Sequence, residues 1–183
     1  MKPYPKYKDS GVEWIGEVPE GWKFKKVKYC FEFQVGFTPA TGISEYYSED
    51  GETWVTIADM RQKIICDSQQ RISTLAIKKY KAKKISTGSI LYSFKLSVGK
   101  VAFAGMDCYS NEAIFAVFPS DHVVLSFYYY SLPIYLIKNA SENIYGAKIL
   151  NQDLIKNAFL IVPTKEEQTA IAAFLDRKTA EID

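Results

Sequence analysis

Residues 36–60, GFTPATGISEYYSEDGETWVTIADM, decide how the rest of the chain is interpreted. This stretch opens with a Gly-Phe-Thr-Pro turn and then presents two adjacent tyrosines, Tyr46 and Tyr47. A second turn, Ser-Glu-Asp-Gly, leads into a predicted strand over residues 54–57, and glycine suits such turns because it adopts positive φ at little steric cost. Hydroxyl, amide and aromatic groups on a loop that a tryptophan strand anchors favour a recognition surface over a core.

The composition indicates a globular chain with one sizeable core. A length of 183 residues predicts one domain with an appendage. Thirteen Tyr and eleven Phe make the chain rich in aromatic residues, and tyrosine serves cores and interfaces alike. The net charge of +2 does not identify a nucleic-acid-binding protein, so the distribution of charge has to carry that argument.

Cysteine and histidine usage argues against a metal site. Cys30, Cys66 and Cys108 are far apart, no Cys-x-x-Cys pair occurs, and His122 is the only histidine. Free thiols predict a reducing, cytoplasmic environment. We also expect neither export nor a membrane span, because the sequence has no apolar signal region and no long uncharged apolar run.

Hydrophobic alternation predicts several short strands. They are expected over residues 30–35, 89–95, 100–104, 111–118 and 158–162. The second and third of them flank a glycine turn and therefore predict a hairpin, whose tip carries Lys95, Ser97 and Lys100.

Two helical regions are predicted between these strands. Ser73 or Thr74 is expected to cap a helix that ends near residue 81. Asp121 is expected to cap a helix over residues 123–132, and Pro133 to open a second helix over residues 134–140. The aromatic side chains of this pair suit core packing better than a base-stacking platform.

The densest positive run lies at the end of the first predicted helix. Its members are Lys78, Lys79, Lys81, Lys83 and Lys84. Two interpretations stay open. The lysines could neutralise DNA phosphates, which adds affinity without sequence information. They could equally be a solvated helix end, where cations interact favourably with the helix dipole.

A boundary is predicted at Pro163. Thr164 and Glu167 have the spacing of a capping box, which satisfies two backbone amides at a helix start. The helix that follows carries an apolar stripe with a spacing close to 3.5 residues, formed by Ile171, Phe174, Leu175 and Ile182. Such a stripe predicts a partner surface.

Three separated motifs resemble the specificity (S) subunits of type I restriction–modification systems. The first is the string SGVEWIGEVPEGW at residues 10–22, and the second is the Gly-x-Thr-Pro loop with its tyrosine pair and Trp-Val-Thr strand. The third is Pro-x-x-x-Glu-Gln-x-x-Ile-Ala-x-Phe-Leu-Asp at residues 163–176. The resemblance runs from about Tyr7 to the last residue.

The resemblance implies a fold and a division of the chain. The expected fold class is α+β, with a twisted, mostly antiparallel β core, short helices and a projecting C-terminal helix, as in DNA methylase specificity domains. Residues 1–162 would form the target recognition domain. Residues 163–183 would begin the conserved helix that spaces two recognition domains.

The resemblance also implies sequence-specific recognition of double-stranded DNA. S subunits read one half of a bipartite target with each recognition domain, on behalf of methyltransferase (M) subunits and, through them, a restriction (R) subunit. The chain is accordingly predicted to be non-catalytic and to need no cofactor. In agreement, the sequence has no glycine-rich methyl-donor or phosphate loop and no Asn/Asp-Pro-Pro-Tyr motif.

The predicted contact residues follow from side-chain chemistry. Amide, hydroxyl and guanidinium groups match the donors and acceptors of base edges, so the predicted readers are Thr38, Arg61, Gln62 and Lys100. The lysines predicted to contact the DNA backbone are Lys63, Lys81, Lys83, Lys84, Lys95 and Lys148. Tyr46, Tyr47 and Ser97 complete the predicted DNA surface. The partner-binding residues are predicted to be Gln168, Ile171, Phe174, Leu175 and Ile182.

Two alternatives remain at this stage. The chain could be a protein-interaction module without DNA contact, in which case its binding would depend little on salt. It could also be either the N-terminal half of a two-domain subunit or a half-subunit that dimerises through its terminal helix.

Overall fold

The computed structural model describes residues 4–95, 97–142, 146 and 148–181. The strands are β1 (Tyr7–Asp9), β2 (Glu17–Pro19), β3 (Lys23–Lys26), β4 (Phe33–Val35), β5 (Tyr47–Val55), β6 (Ile64–Ile65), β7 (Gln70–Ile72), β8 (Ile90–Ser93), β9 (Val101–Ala104), β10 (Tyr109–Ser110), β11 (Ile114–Val117), β12 (Ser141–Glu142), β13 (Lys148–Ile149) and β14 (Phe159–Val162). The α-helices are α1 (Thr74–Tyr80), α2 (Leu125–Lys138), α3 (Gln152–Asn157) and α4 (Lys165–Ala180). Short 3-10 helices cover Val27–Tyr29, Ser44–Tyr46 and Ile57–Asp59.

A five-stranded sheet forms the centre of the molecule, in the order β4-β11-β8-β9-β6. The predicted hairpin is present, since β8 pairs antiparallel with β9 and Ile90 lies opposite Phe103. β11 pairs antiparallel with both β8 and β4, whereas β6 and β9 are parallel. β8 and β11 are buried along their whole length, which explains why they are almost entirely apolar. The mixed α+β class with mostly antiparallel strands is confirmed.

A second sheet, β10-β5-β7, carries the residues that opened the sequence analysis. β5 begins at Tyr47, well before the predicted start at residue 54. The predicted Ser-Glu-Asp-Gly turn lies inside this strand as an irregularity, where both Tyr47 and Glu52 face Ile72. Gly51 permits it, because a Cβ at this position would collide with the Ile72 carbonyl oxygen. The strand can therefore bend without ending.

The largest core cluster joins the five-stranded sheet to the helices. Tyr92 and Phe115 of the sheet, Leu132 and Leu136 of α2, and Ile155 of α3 are fully buried in it. The aromatic residues of α2 contribute mainly to this core, in line with the sequence prediction. A smaller aromatic cluster lies against the second sheet. Its buried members are Tyr46, Trp54, Ile72, Ala76 and Tyr109.

The region after residue 120 differs from its prediction. Instead of two helices capped by Asp121 and separated at Pro133, α2 is one continuous helix that contains Pro133, and its N-cap is Val124. A proline inside a helix costs about 3 kcal/mol. Burial of each large apolar side chain of α2 stabilises by ~1.5–3 kcal/mol, so the buried residues together outweigh that cost.

α4 begins with the predicted capping box, in which Thr164 Oγ1 accepts from the Glu167 amide and Glu167 Oε2 accepts from the Thr164 amide. Trp22 Nε1 also donates to Glu167 Oε1 (3.1 Å), which ties the helix start to the N-terminal segment. Ala172 is buried in the main core, and the helix contacts α2. Over the described length of α4, one face of the helix thus packs against the domain and the opposite face is exposed to solvent.

Candidate nucleic-acid interface

The turn at residues 36–39 is fixed against the second sheet. Trp54 Nε1 donates to the Phe37 carbonyl oxygen (3.0 Å), and the Tyr47 hydroxyl donates to the Pro39 carbonyl oxygen (2.9 Å). A Cβ on Gly36 would collide with the carbonyl oxygens of Ser110 and Asn111, so close approach requires glycine there. The turn is a rigid support that leaves Thr38 half-buried.

The two tyrosines of the loop differ in accessibility. Tyr46 is 8% exposed, and its ring packs edge-on against Tyr80 at 5.8 Å in the aromatic cluster. Tyr47 is half-buried and packs against Trp54 at 6.1 Å. The structure therefore removes Tyr46 from the predicted DNA surface, because its ring is needed for the core, and leaves only part of Tyr47 accessible.

A first groove of about 470 Å³ lies beside the second sheet. Its lining residues are Ala58, Asp59, Arg61, Gln62, Ile64, Ile65, Cys66, Asp67, Ser68 and Gln69. Arg61 and Gln62 are exposed. Arg61 Nε donates to the Ala58 carbonyl oxygen (2.8 Å), while its terminal nitrogens have no partner within the described part of the chain. The structure thus brings these two predicted readers together, with the terminal nitrogens of Arg61 and the carboxamide of Gln62 unpaired among the described residues.

Asp59 joins the two walls of this groove. One carboxylate oxygen accepts hydrogen bonds from the Thr56 amide and the Thr56 hydroxyl, both at 2.8 Å, and closes a capping box at the 3-10 helix. The other oxygen accepts a hydrogen bond from the Gln69 amide at 3.0 Å. The side chain therefore fixes the opposite wall at residue 69.

A second groove of about 560 Å³ shares Gln69 with the first. Its lining residues are Thr41, Tyr47, Ser48, Glu49, Trp54, Gln69, Gln70 and Arg71. Arg71 donates to Asp67 Oδ1 (2.8 Å) and is thereby held in place. The sequence analysis missed Gln69 and Gln70 as candidate site residues. The sequence feature that could have indicated them is the pair of adjacent glutamines at the end of the polar bend between two short strands.

Lys63 is engaged with α4. Its Nζ lies 2.6 Å from Asp176 Oδ1, and the Tyr130 hydroxyl donates to the same oxygen at 2.5 Å. Partial burial acts to lower the pKa of Lys63, but its hydrogen bonds with Asp176 and Tyr130 outweigh that effect and raise the pKa. The same hydrogen bonds lower the pKa of Asp176. The structure therefore assigns Lys63 an internal partner in place of the predicted phosphate.

The other predicted phosphate contacts fall into two groups. Lys83 pairs with Glu32 (2.5 Å), Lys84 with Glu52 (3.1 Å) and Lys148 with Glu142, so these lysines have internal counter-charges. Lys81 and Lys95 are exposed and form no salt bridge among the described residues, and the same holds for Lys100, which the sequence predicted as a base reader. The second group is therefore better suited to contact phosphate.

The tip of the β8–β9 hairpin is held by Ser93. Its hydroxyl donates to the Ser97 carbonyl oxygen (2.6 Å) and accepts from the Lys100 amide (3.1 Å). Ser97 and Gly99 have φ values of 54° and 101°, so two residues of the tip adopt a positive-φ backbone conformation. Ser97 and Lys100 remain exposed on this tight turn.

The outer face of α4 is smaller than predicted. Gln168 is 4% exposed and donates to the Pro163 carbonyl oxygen (3.0 Å), so it stabilises the domain and is removed from the predicted partner surface. Ile171 packs against the main core and Leu175 is half-buried. Phe174 is 40% exposed, next to Arg177 at 5.6 Å. Ile182 lies outside the described residues.

The residues described contain no group of three or more His, Cys, Asp or Glu side chains that could hold a metal ion. No helix in the same part of the chain has the length and apolar character that a membrane span needs.

Solved structures with this fold are known. The HsdS subunit from Thermoanaerobacter tengcongensis aligns with a TM-score of 0.72 at 19% identity, over 96% of this chain and 40% of that chain. A chain from a structure of a type I R-M system aligns with a TM-score of 0.71 at 21% identity, over 96% of this chain and 42% of that chain. The fold is therefore that of a specificity subunit domain.

The chain belongs to the family described as type I restriction modification DNA specificity domain, whose model matches residues 19–183. It is 29% identical to the MjaIX specificity subunit of Methanocaldococcus jannaschii, over 88% of this chain and 38% of that subunit. It is 27% identical to the HindI specificity subunit of Haemophilus influenzae, over 81% of this chain and 33% of that subunit. The chain thus spans 33% to 38% of these relatives' length, and it is a domain of the specificity-subunit type.

Proposed function

We propose that this chain recognises double-stranded DNA by sequence and reads one half of a bipartite target for a type I restriction–modification complex. The observation that carries the proposal is the open groove in which Arg61 and Gln62 present unpaired polar groups. Residues 1–162 act as the recognition domain. Residues 163–183 begin the spacer helix, and the chain performs no catalysis and needs no cofactor.

The chemistry of the groove suits base edges. A guanidinium pairs bidentately with O6 and N7 of guanine, and a carboxamide pairs with N6 and N7 of adenine. Lys81, Lys95 and Lys100 contact phosphates, which orients the domain without selecting a sequence. Thr38, Ser97 and the accessible part of Tyr47 are further proposed DNA contacts.

The partners follow from family membership and from α4. The outward face around Phe174 docks methyltransferase subunits, and the restriction subunit joins through them. A second recognition domain, in cis or from a second copy of the chain, reads the other half of the target. We also propose that the protein is located in the cytoplasm.

Substitution of Arg61 tests the proposal. Duplexes selected by the unmodified chain from a randomised pool are measured by gel shift across a salt series, together with shuffled duplexes of the same composition. Arg61→Ala should cost the selected duplex ~1–3 kcal/mol of binding free energy and leave the shuffled one unchanged, because it removes a base contact. Lys81→Asn with Lys95→Ala should weaken both duplexes alike and reduce the salt slope by about 2.

Arg177→Ala is the matched control, since Arg177 is an exposed arginine on α4 that lines neither groove. Equal losses on selected and shuffled duplexes for Arg61→Ala would count against base reading. If no duplex is enriched and binding does not depend on salt, the chain is a protein-interaction module instead.

A further inference from the structure

Gln69 has a main chain that is fixed on both sides. Its amide donates to Asp59 Oδ1 at 3.0 Å. The preceding residue, Ser68, accepts from the Trp54 amide (3.2 Å) and donates its hydroxyl to the Gln70 carbonyl oxygen (2.7 Å). Residues 68–70 are thereby held to both the 3-10 helix at residues 57–59 and the strand β5.

The side chain of Gln69, in contrast, is unengaged. It is exposed, and its carboxamide has no hydrogen-bond partner in the ranges that the structure describes. Gln69 is also the residue that lines both grooves, of about 470 and 560 Å³. Gln70 lines only the second groove, and Arg71 is committed to Asp67. An unpaired amide on a fixed backbone thus lies where two open grooves meet.

We propose that Gln69 is a specificity-determining residue that reads an adenine in the major groove of duplex DNA, and that Asp59 is its positioning residue. A glutamine carboxamide matches adenine because its oxygen accepts from N6 and its NH₂ donates to N7. The inference rests on the proposed DNA-recognition function and extends it to a residue and a base.

The fixed backbone matters for specificity. A reader on a mobile loop loses binding free energy to ordering, whereas a preorganised one does not. Asp59 supplies this preorganisation with acceptor oxygens only, and an amide in its place would present a donor to one of the Thr56 or Gln69 donors. Asp59→Asn should therefore disturb the same base position as a change at Gln69.

The test combines one substitution with one base analogue. Each adenine of a duplex selected by the unmodified chain is replaced in turn by 7-deazaadenine, which lacks the N7 acceptor. At one position, the analogue should weaken binding of the unmodified chain about tenfold and leave binding of Gln69→Ala unchanged, because the contact is already lost. Gln152→Ala is the control, because this exposed glutamine lies in α3, outside both grooves.

Two further variants sharpen the result. Gln69→Glu keeps the acceptor and loses the donor, so selection with this variant should replace adenine by cytosine at the same position. Asp59→Asn should reduce discrimination at that position in protein whose circular dichroism spectrum matches the unmodified chain. Asp59→Glu is not expected to preserve discrimination at that position, because the longer side chain would displace the hydrogen bonds to both Thr56 and the Gln69 amide.

The outcomes separate the two proposals. If the unmodified chain selects a sequence but every 7-deazaadenine weakens Gln69→Ala as much as the unmodified chain, Gln69 is not a reader and only the inference is overturned. If the unmodified chain selects no sequence at all, the proposed function is overturned as well.

Discussion

Cys66 differs from the other two thiols in accessibility and in chemistry. It is exposed on the wall of the first groove. Burial raises the pKa of the Cys30 thiol to about 11 and that of Cys108 to about 12. Because the thiolate is the reactive form, a reagent at pH 8 should reach Cys66 first.

This difference predicts a footprint. Alkylation with a maleimide at pH 8 should modify Cys66 before the buried thiols, and a bound selected duplex should slow this reaction at least tenfold, since it would cover the groove. The measurement is mass spectrometry of the modified peptide over time, and a shuffled duplex at the same concentration is the control. Equal rates with and without the selected duplex would contradict a DNA site at this groove.

The sequence predicted those features of the candidate site that depend on neighbouring residues, and missed those that depend on distant ones. Arg61 and Gln62 follow the tryptophan strand and a turn, where polar side chains are exposed, so the local pattern was sufficient to predict their exposure. Lys63 is only one residue further, but its partner Asp176 is 113 residues away. Gln69 depends on Asp59 across a loop, and Tyr46 on a ring of α1. Contacts of this kind become visible only when the chain is folded.

At the scale of the elements, α4 is linked directly to the groove. Lys63 is separated from Arg61 by one residue, and it leads into β6. Its ammonium lies over the rings of Tyr129 and Tyr130 in α2, at 5.1 and 5.4 Å, and reaches Asp176 in α4. Beyond the buried Ala172, this contact and the hydrogen bond between the Tyr130 hydroxyl and Thr179 Oγ1 (3.3 Å) join the later turns of α4 to α2.

Asp176→Asn should loosen that part of the helix. The ion pair is partly exposed, so its loss should change the free energy of unfolding by only ~0–1 kcal/mol. Amide exchange at residues 173–180 should nevertheless become several-fold faster. Glu181→Gln is the control, because Glu181 pairs with Lys178 inside the helix and not with the domain. Unchanged exchange in Asp176→Asn would show that other contacts hold α4.

The same contact predicts a pH dependence. The folded pKa of Asp176 is depressed, so its stabilising contribution is present above the unfolded value of about 3.9 and is lost as pH falls through the folded value. The folded pKa of Lys63 is raised, so its stabilising contribution is present below the unfolded value of about 10.4 and is lost as pH rises through the folded value. Between these limits the contact should be independent of pH. The protection of the amides at residues 173–180, taken relative to their intrinsic exchange rates at each pH, should therefore be constant there.

The elements themselves were predictable to different degrees. Capping signals located α1 and α4, and alternation located β8, β9 and β11, because those signals are local. The single helix α2 was not predictable, because the cost of Pro133 is local while the burial that offsets it depends on the five-stranded sheet. The extent of β5 was missed for a similar reason, since its irregularity opposite Ile72 requires the partner strand β7.

At the scale of the whole molecule, the proposed function uses two surfaces, one to contact DNA and one to contact partner subunits. The two grooves around Gln69 present free amide and guanidinium groups, and exposed lysines lie on α1's C-terminal end and on the hairpin tip. α4 carries Phe174 outward on a helix that Lys63 and Tyr130 orient. Under the proposed function, this arrangement would let the DNA-contacting surface set the position of the helix that contacts partner subunits.

The most direct test of sequence recognition is the affinity of the unmodified chain for two duplexes of equal length and composition. One duplex carries the sequence enriched from a randomised pool, and the other carries the same bases shuffled. The account predicts that the enriched duplex binds about a thousandfold or more tightly than the shuffled one, and that both affinities fall steeply as salt rises. Equal affinities for the two duplexes at every salt concentration would contradict it.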